Sequence, residues 1–463
     1  MNDTDPVDVA VVGAGIAGLV VAAEAARAGL RVVVCESGPH VGGMLRPLTI
    51  AGVETDAGAE SFATRTGAVA ALIGELGLPL DIALPRPGGA QLVWPAAGGI
   101  DRAPLPQRTI LGIPADPLAA DVVRIVGADA AALAAAEPAL PAARAAAEPD
   151  LHTLAATRLG PRVADLLVDP ICRSVYSRPA GAARLSRLHP ELWRRYREHG
   201  SLVEAAASLA PGGRPGSAVG GIRGGVWRLA AALADLARAH GARVRTDAPV
   251  TALRAVDGGH ELVLGDGSAV RARRVVLAVD ARAAARLIRS PSGTAGPRTP
   301  GEPAGRVESV GEDDAVAVVH VAVEAPGLDA FPVGSGVIVA PGTDAAAKAL
   351  THVNAKWPWV GEALPPGVHV LRLSAREAGA FEARDRAALA REVALLTGVA
   401  VEAGDIREEV VMRWPVAASG MLPAEVVAEA ERRGIVLAGA AVAGTGLASV
   451  VPHARAVGAT LAR

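Results

Sequence analysis

The chain opens with an apolar run that passes straight into a glycine turn, Val9-Ala10-Val11-Val12-Gly13-Ala14-Gly15-Ile16-Ala17-Gly18, and an acid, Glu36, closes the next apolar run, Val32-Val33-Val34-Cys35. Few folds accommodate this order of strand, glycines, helix and acid. Gly13 permits the tight turn, Gly15 lets a pyrophosphate approach the backbone, and Gly18 lets the helix pack closely on the strand. The helix N-terminus, where Ile16 and Ala17 lie, then turns its unpaired N–H groups toward the phosphates. Glu36 stands 18 residues beyond Gly18, where a carboxylate accepts hydrogen bonds from a ribose diol. The pattern predicts a Rossmann-type α/β unit: strand Asp8–Val12, helix Ala17–Ala28 and strand Arg31–Glu36, joined by a right-handed crossover.

With 53 glycines among 463 residues, a lone Gly-x-Gly-x-x-Gly would arise by chance, so the rest of the chain must supply the context. That length predicts two or three domains. A net charge of −2 offers no basic face for a polyanion, and no nucleic-acid partner is expected. The two cysteines, Cys35 and Cys172, form neither a disulfide framework nor a metal spacing, which makes a reducing cytoplasm the simplest home. None of the ten histidines has metal spacing, and no metal is expected. The acidic start, Asn2-Asp3-Thr4-Asp5, is unlike a secretory leader. Apolar stretches are interrupted by charge before they reach the ~18 residues of a membrane span; peripheral membrane contact stays open.

Residues 1–84 are expected to form the first part of the dinucleotide-binding domain. Prolines crowd 85–117, where the chain leaves that layer for the first part of a substrate domain. Residues 118–210 are Ala-Leu-Arg-rich pieces punctuated by proline and predict a helical insertion. Residues 211–289 return to the first domain after a Gly/Pro/Ser-rich loop, with a buried-type strand at Arg274–Val279. Residues 290–405, after a charged Pro/Gly-rich stretch, carry strands near Ala315–Val323, Ser335–Val339 and Val368–Ser374, which indicate a second, mixed sheet. Residues 406–463 are expected to close the dinucleotide domain, with the strand Ile435–Ala438, the glycines of Gly439–Gly446 and a last helix.

After Glu36 and Ser37 comes Gly42-Gly43-Met44-Leu45-Arg46, and this Gly-Gly-x-x-Arg is superfluous for a nicotinamide site. It resembles the segment that runs along the FAD pyrophosphate in the glutathione-reductase-like flavoproteins, especially the amine-oxidase and protoporphyrinogen-oxidase branch. The resemblance implies a p-hydroxybenzoate-hydroxylase-like fold, with FAD as cofactor and Gly42, Gly43 and Arg46 along it. Asp56-Ala57-Gly58-Ala59-Glu60-Ser61-Phe62 is similar to the loop beside the flavin, which implies cofactor contacts from Gly58, Ala59, Glu60 and Ser61. Val250 matches a strand valine whose backbone meets the adenine. Trp414 falls just ahead of the last cofactor segment and joins the cofactor-binding candidates. Ala438–Ser449 resembles the C-terminal FAD motif, implying contacts from Gly439, Gly444, Gly446, Leu447 and Ala448 and a helix N-terminus facing the flavin pyrimidine.

The middle of the chain is most similar to the oxygen-dependent protoporphyrinogen and coproporphyrinogen oxidases. The similarity rests on Leu105-Pro106, Leu111–Pro117, Arg158-Leu159-Gly160, Leu166–Tyr176 and Lys356-Trp357-Pro358. Departures occur at Ser174 and at Ser177-Arg178, where the family usually has glycines, and at His40 and Pro47. The resemblance implies oxidation of a porphyrinogen in haem biosynthesis, with molecular oxygen as acceptor and hydrogen peroxide as product. The flavin would take hydride, so no protein nucleophile is required. The protein must then bind propionates, for which arginine is suited. Arg65 and Arg173 are the candidates, a solvated arginine being the alternative for the first and a structural ion pair for the second. Rival readings are a flavin oxidase or desaturase of another small molecule, an amine oxidase, and a non-catalytic porphyrin-binding protein. Amine oxidation ranks low because the chain has two tyrosines and no lysine across Asp314–Val323.

Overall fold

The computed structural model describes residues 6–141, 147–210, 219–289, 315–375, 385–415 and 420–463. Of the two Gly/Pro-rich stretches expected, 211–218 of the first (211–221) and all of the second (290–305) lie outside the described residues, and Val219–Ile222 is a strand. Two seven-stranded sheets dominate. The first is built around the apolar run that opens the chain. Val7–Val12 pairs in parallel with Val32–Cys35 on one side and with Ala269–Leu277 on the other. Arg243–Arg245 extends the layer beyond Val32–Cys35, and Ile435–Leu437 pairs in parallel with the end of Ala269–Leu277. The first half of Ala269–Leu277 instead carries an antiparallel meander with Gly259–Leu264 and Val250–Val256.

Helix Ile16–Arg27 is buried on nearly every side. It packs on the first sheet and between helices Trp227–Ala239 and Leu447–Leu461, which accounts for its alanine- and valine-rich sequence with little polar face. Gly458 lets the last helix come close, since a Cβ there would lie 2.7 Å from Glu24 Cβ. Arg455 then bridges Glu24 at 2.9 Å and Glu75 at 2.6 Å. The first layer therefore closes around a core assembled from both ends of the chain.

The second sheet has the order Ile406–Pro415, Ala315–Glu324, Val368–Ala375, Ala347–His352, Gly336–Val339, Gln91–Ala96, Gly99–Pro104. Only Gly336–Val339 and Gln91–Ala96 pair in parallel. Helix Arg386–Thr397 covers one face through Leu389, Val393 and Leu396. On the other face Leu92, Trp94 and Ala340 pack against the helical unit. Ile406–Pro415 was expected in the last dinucleotide segment; it is instead the edge strand of this second sheet, antiparallel to Ala315–Glu324. Its alternating pattern does not reveal which sheet it joins, because the pairing is decided by a partner almost a hundred residues away in sequence.

The helical unit within residues 120–209 is organised around one buried ion pair. Glu137 is fully buried; its Oε1 accepts from Arg158 Nε at 2.7 Å and its carboxylate also takes the amides of Leu202 and Val203 and the Ser201 hydroxyl. Arg158 donates in addition to the carbonyls of Pro141 and Gly200. Every polar group of the pair is thus satisfied, the condition for burying charge without a large penalty. Removing one partner exposes that penalty: Glu137→Ala is expected to destabilise the protein by about 3–5 kcal/mol, read as a lower denaturation midpoint, while a surface control such as Glu198→Ala shifts it little.

Candidate functional site

Three strand ends converge at the carboxyl edge of the first sheet. Ala278 N donates to Val12 O at 2.8 Å and Ala438 N donates to Leu277 O at 2.9 Å, so the turns after Val12, Leu277 and Leu437 lie side by side. Open α/β sheets bind ligands at this edge. Gly13 has φ +98°, and a Cβ there would strike Ala278 O at 2.6 Å; a Cβ on Gly18 would lie 2.0 Å from Gly13 O. The turn and the first helix therefore fit only without side chains. Ile16 and Ala17 form the first turn of that helix, with Gly15 at its cap.

The loops expected along the cofactor gather on this turn. Gly42 N donates to Ala14 O at 2.7 Å and forms a bridge with Gly15, and Gly43 lies against Gly15. Ala57 N donates to Arg46 O, and Ala59 N to Met44 O. Gly58 is required there because a Cβ would meet Met44 O at 2.1 Å. Glu36 accepts from Ala14 N at 2.7 Å and Gly38 N at 2.9 Å, with the Ser37 hydroxyl at 3.2 Å. Backbone bonds from Glu36 to Arg245 and from Ala248 and Asp247 back to Glu36 and Gly38 bring the segment before Val250 alongside. At the far end, Gly439 packs on Ala17 Cβ, Gly446 caps helix Leu447–Leu461, Leu447 is buried and Ala448 half-buried.

These residues fit a long dinucleotide. A Cβ at Gly15, Gly444 or Gly446 would meet no atom of the chain within 4 Å, so two helix N-termini front open space where phosphates and a flavin ring would be favoured. The buried Arg46 Nε has no hydrogen-bond partner among the described residues, and the arginine lies over the Trp414 ring at 4.9 Å. An unpaired buried donor of this kind calls for an anionic acceptor.

The loop Asp56–Ser61 is clamped between the sheets. Ala57 O accepts from His320 Nε2 and Trp414 Nε1, each at 3.2 Å, both from the second sheet. This bond sets the His320 tautomer, and burial, then the charge of Arg372, lowers its pKa to about 3; the ring is neutral at ordinary pH. Asp56 caps helix Trp227–Ala239, accepting from Val226 N at 2.9 Å and Trp227 N at 2.8 Å. Burial outweighs those bonds and raises its pKa to about 6. Glu60, a candidate for cofactor contact, directs its carboxylate to Lys356 Nζ at 2.7 Å, both groups being largely buried. Ser61 follows it, half-buried, into the short strand Phe62–Ala63. Sequence reasoning missed His320, whose one signal is a lone polar residue on an otherwise apolar strand.

Arg65 is exposed and stands where its charge opposes the burial-driven rise of the Tyr176 pKa and adds to the burial-driven fall of that of His189. Arg173, expected to bind propionate, donates from Nε to Asp169 Oδ2 at 2.6 Å in an i,i+4 pair. The pairing follows from helix geometry. Lys348, which the sequence did not single out, is buried beside it, its pKa lowered to about 8 by burial and by Arg173.

A glycine-lined carboxyl edge, closed by a last helix and covered by a second sheet, is the arrangement of an FAD-dependent oxidoreductase. A sequence profile of the flavin containing amine oxidoreductases matches residues 16–463. The coproporphyrinogen III oxidase of Mycobacterium tuberculosis is 33% identical over 432 residues, covering 90% of this chain and 88% of that one. In fold, the chain is similar to a putative protoporphyrinogen oxidase from Exiguobacterium sp. 255-15, with a TM-score of 0.77, 20% identity and 98% of each chain covered. It is also similar to putrescine oxidase bound to putrescine, with a TM-score of 0.62, 19% identity and 99% of each chain covered. The chain belongs to the flavin-containing amine oxidoreductase family, and it is an FAD-dependent oxidoreductase.

Two outcomes test this geometry. Gly18→Ala forces backbone apart at a cost of about 1–3 kcal/mol, so purified protein should retain FAD roughly tenfold or more weakly, measured as the flavin-to-protein absorbance ratio after dilution. For Glu60, the penalty of burial is outweighed by Lys356 and Arg372, which bring its pKa from 4.5 down to about 2. A depressed acid stabilises the fold above its unfolded pKa and loses that contribution as pH falls. The denaturation midpoint should therefore drop between pH 4.5 and 2, and drop less steeply in Glu60→Gln.

Proposed function

We propose that the protein oxidises coproporphyrinogen III to coproporphyrin III in haem biosynthesis, with molecular oxygen as acceptor and hydrogen peroxide as product. The likeness to coproporphyrinogen III oxidases, which runs along about 90% of the chain and therefore through the helical unit as well as the cofactor segments, carries this reading. The shorter likeness to a putative flavin-containing monoamine oxidase of M. tuberculosis covers 23% of this chain. Bound FAD supplies two-electron redox chemistry. Three such oxidations remove six hydrogens from the substrate and reduce three molecules of oxygen to peroxide, so the atoms balance.

The chain's own residues have other tasks. The glycines at 13, 15, 18, 42, 43 and 58, with Arg46, Glu36 and Val250, would hold the adenine and pyrophosphate portion, and Gly439, Gly444, Gly446, Leu447 and Ala448 the flavin end. The N-terminus of helix Leu447–Leu461 favours negative charge placed before it. His320 and Trp414 fix the loop between them through Ala57. Neutral His320 neither adds nor removes charge there. Arg65, exposed beside the helical unit, would meet a substrate carboxylate.

Anaerobic mixing of flavin-loaded protein with coproporphyrinogen III tests the reading. Rapid loss of the oxidised flavin absorbance, followed by porphyrin fluorescence and peroxide when oxygen is admitted, is expected. No bleaching with coproporphyrinogen III, but bleaching by another reduced small molecule or by an amine, would overturn it.

A further inference from the structure

The strand Ala347–His352 slips in register against Val368–Ala375. Ala347 stands opposite Ala375 and Ala349 opposite Ser374, which leaves Lys348 as an extra residue with no opposite number. Such a bulge re-aims a side chain. Here Lys348 Nζ turns toward the helical unit and donates to Ser177 Oγ at 2.9 Å, while its carbonyl accepts from Ser174 Oγ at 3.1 Å. Ser177 has φ +54°, a left-handed conformation that glycine adopts at less cost. A serine therefore occupies a strained position at the end of helix Asp169–Tyr176, and its hydroxyl holds the lysine.

The charge at this junction is one-sided. Lys348 is 7% exposed, and no carboxylate among the described residues lies within ion-pair distance of it. The nearby acid, Asp169, is taken by Arg173 and by Ala180 N at 2.7 Å. Burying an ammonium beside a guanidinium is costly unless an anion joins them, and a buried charge without a counter-ion is a candidate ligand site. The location is also suitable. His320, Arg372 and Thr351 are opposite one another on adjacent strands, and cross-strand partners share a face. That face begins at the clamp on Ala57, and Ile338, opposite Ala349 on the next strand, packs against the helical unit that Lys348 reaches.

We propose that Lys348, with Arg173 beside it, binds a propionate of a tetracarboxylate tetrapyrrole lying between the second sheet and the helical unit. The proposal rests on the porphyrinogen reading given above. Ser174 and Ser177 then act as positioning residues, setting the bulge and the ammonium, and the departures from glycine at these two sites become part of substrate selection.

The test titrates flavin-loaded enzyme with coproporphyrin III and with its tetramethyl ester, following porphyrin fluorescence. In Lys348→Met, affinity for the free acid should fall roughly tenfold or more while that for the ester is unchanged, and Lys348→Arg should restore most of the loss. Equal loss for acid and ester, or no loss for either, overturns the proposal. If Lys348→Met fails to retain flavin, Ser177→Gly serves instead: it removes the hydroxyl that holds the ammonium and should change acid affinity several-fold with no change for the ester, and the absence of an acid–ester difference again overturns it. Wild-type enzyme that oxidises coproporphyrinogen III with Lys348→Met indistinguishable from it removes the lysine and leaves the function standing. Wild-type enzyme that binds neither porphyrin overturns both.

Discussion

The carbonyl of Ala57 receives two N–H donors from the second sheet, His320 and Trp414, and the remainder of the site depends on that three-group junction. The preceding residue, Asp56, caps helix Trp227–Ala239 of the first layer, and Glu60 three residues on is tied to Lys356. One short loop is therefore bonded to both layers within five residues. Without water to compete, each of these bonds is strong and each unpaired group would be expensive. The loop cannot relax toward one sheet without stranding a buried donor in the other. This fixes the spacing between the carboxyl edge of the first sheet and the facing surface of the second.

The division of labour follows from this arrangement. Glycines dominate the first layer's carboxyl edge because backbone must meet backbone, as at Gly18 on Gly13 and Gly58 on Met44. The facing surface of the second sheet and the helical unit carries charged side chains instead, Arg372, Lys348 and Arg173. On the proposed reading, the main chain would set cofactor geometry and exchangeable side chains would set substrate preference without rebuilding the fold. A family spanning porphyrinogens and amines on one architecture is a natural result.

The first βαβ unit was legible in the sequence because its signals are local: an apolar strand, glycines at fixed offsets and an acid at the end of the next strand. The last strand, Ile435–Leu437, was legible for the same reason, as were Ala315–Glu324, Gly336–Val339 and Val368–Ala375 of the second sheet. What escaped was decided by partners far along the chain. Trp414 sits on a strand whose alternation fits either sheet, and only pairing with Ala315–Glu324 assigns it. The bond of Glu60 to Lys356 joins residues 296 apart. Lys348 was invisible because a bulge is a one-residue mismatch between two strands and leaves no mark on either alone. The ion pair weighed for Arg173 in the sequence is the i,i+4 bond to Asp169.

The parallel core pairs Val7–Val12 with Ala269–Leu277, and that strand with Ile435–Leu437. The first and last helices then pack on one another. During synthesis the opening strand gains Val32–Cys35 early but must wait through more than half of the chain for its second neighbour and almost to the end for the strand beyond. Contacts so distant in sequence close slowly and leave strand edges bare meanwhile. The first layer is thus complete only when the last strand and helix have been made.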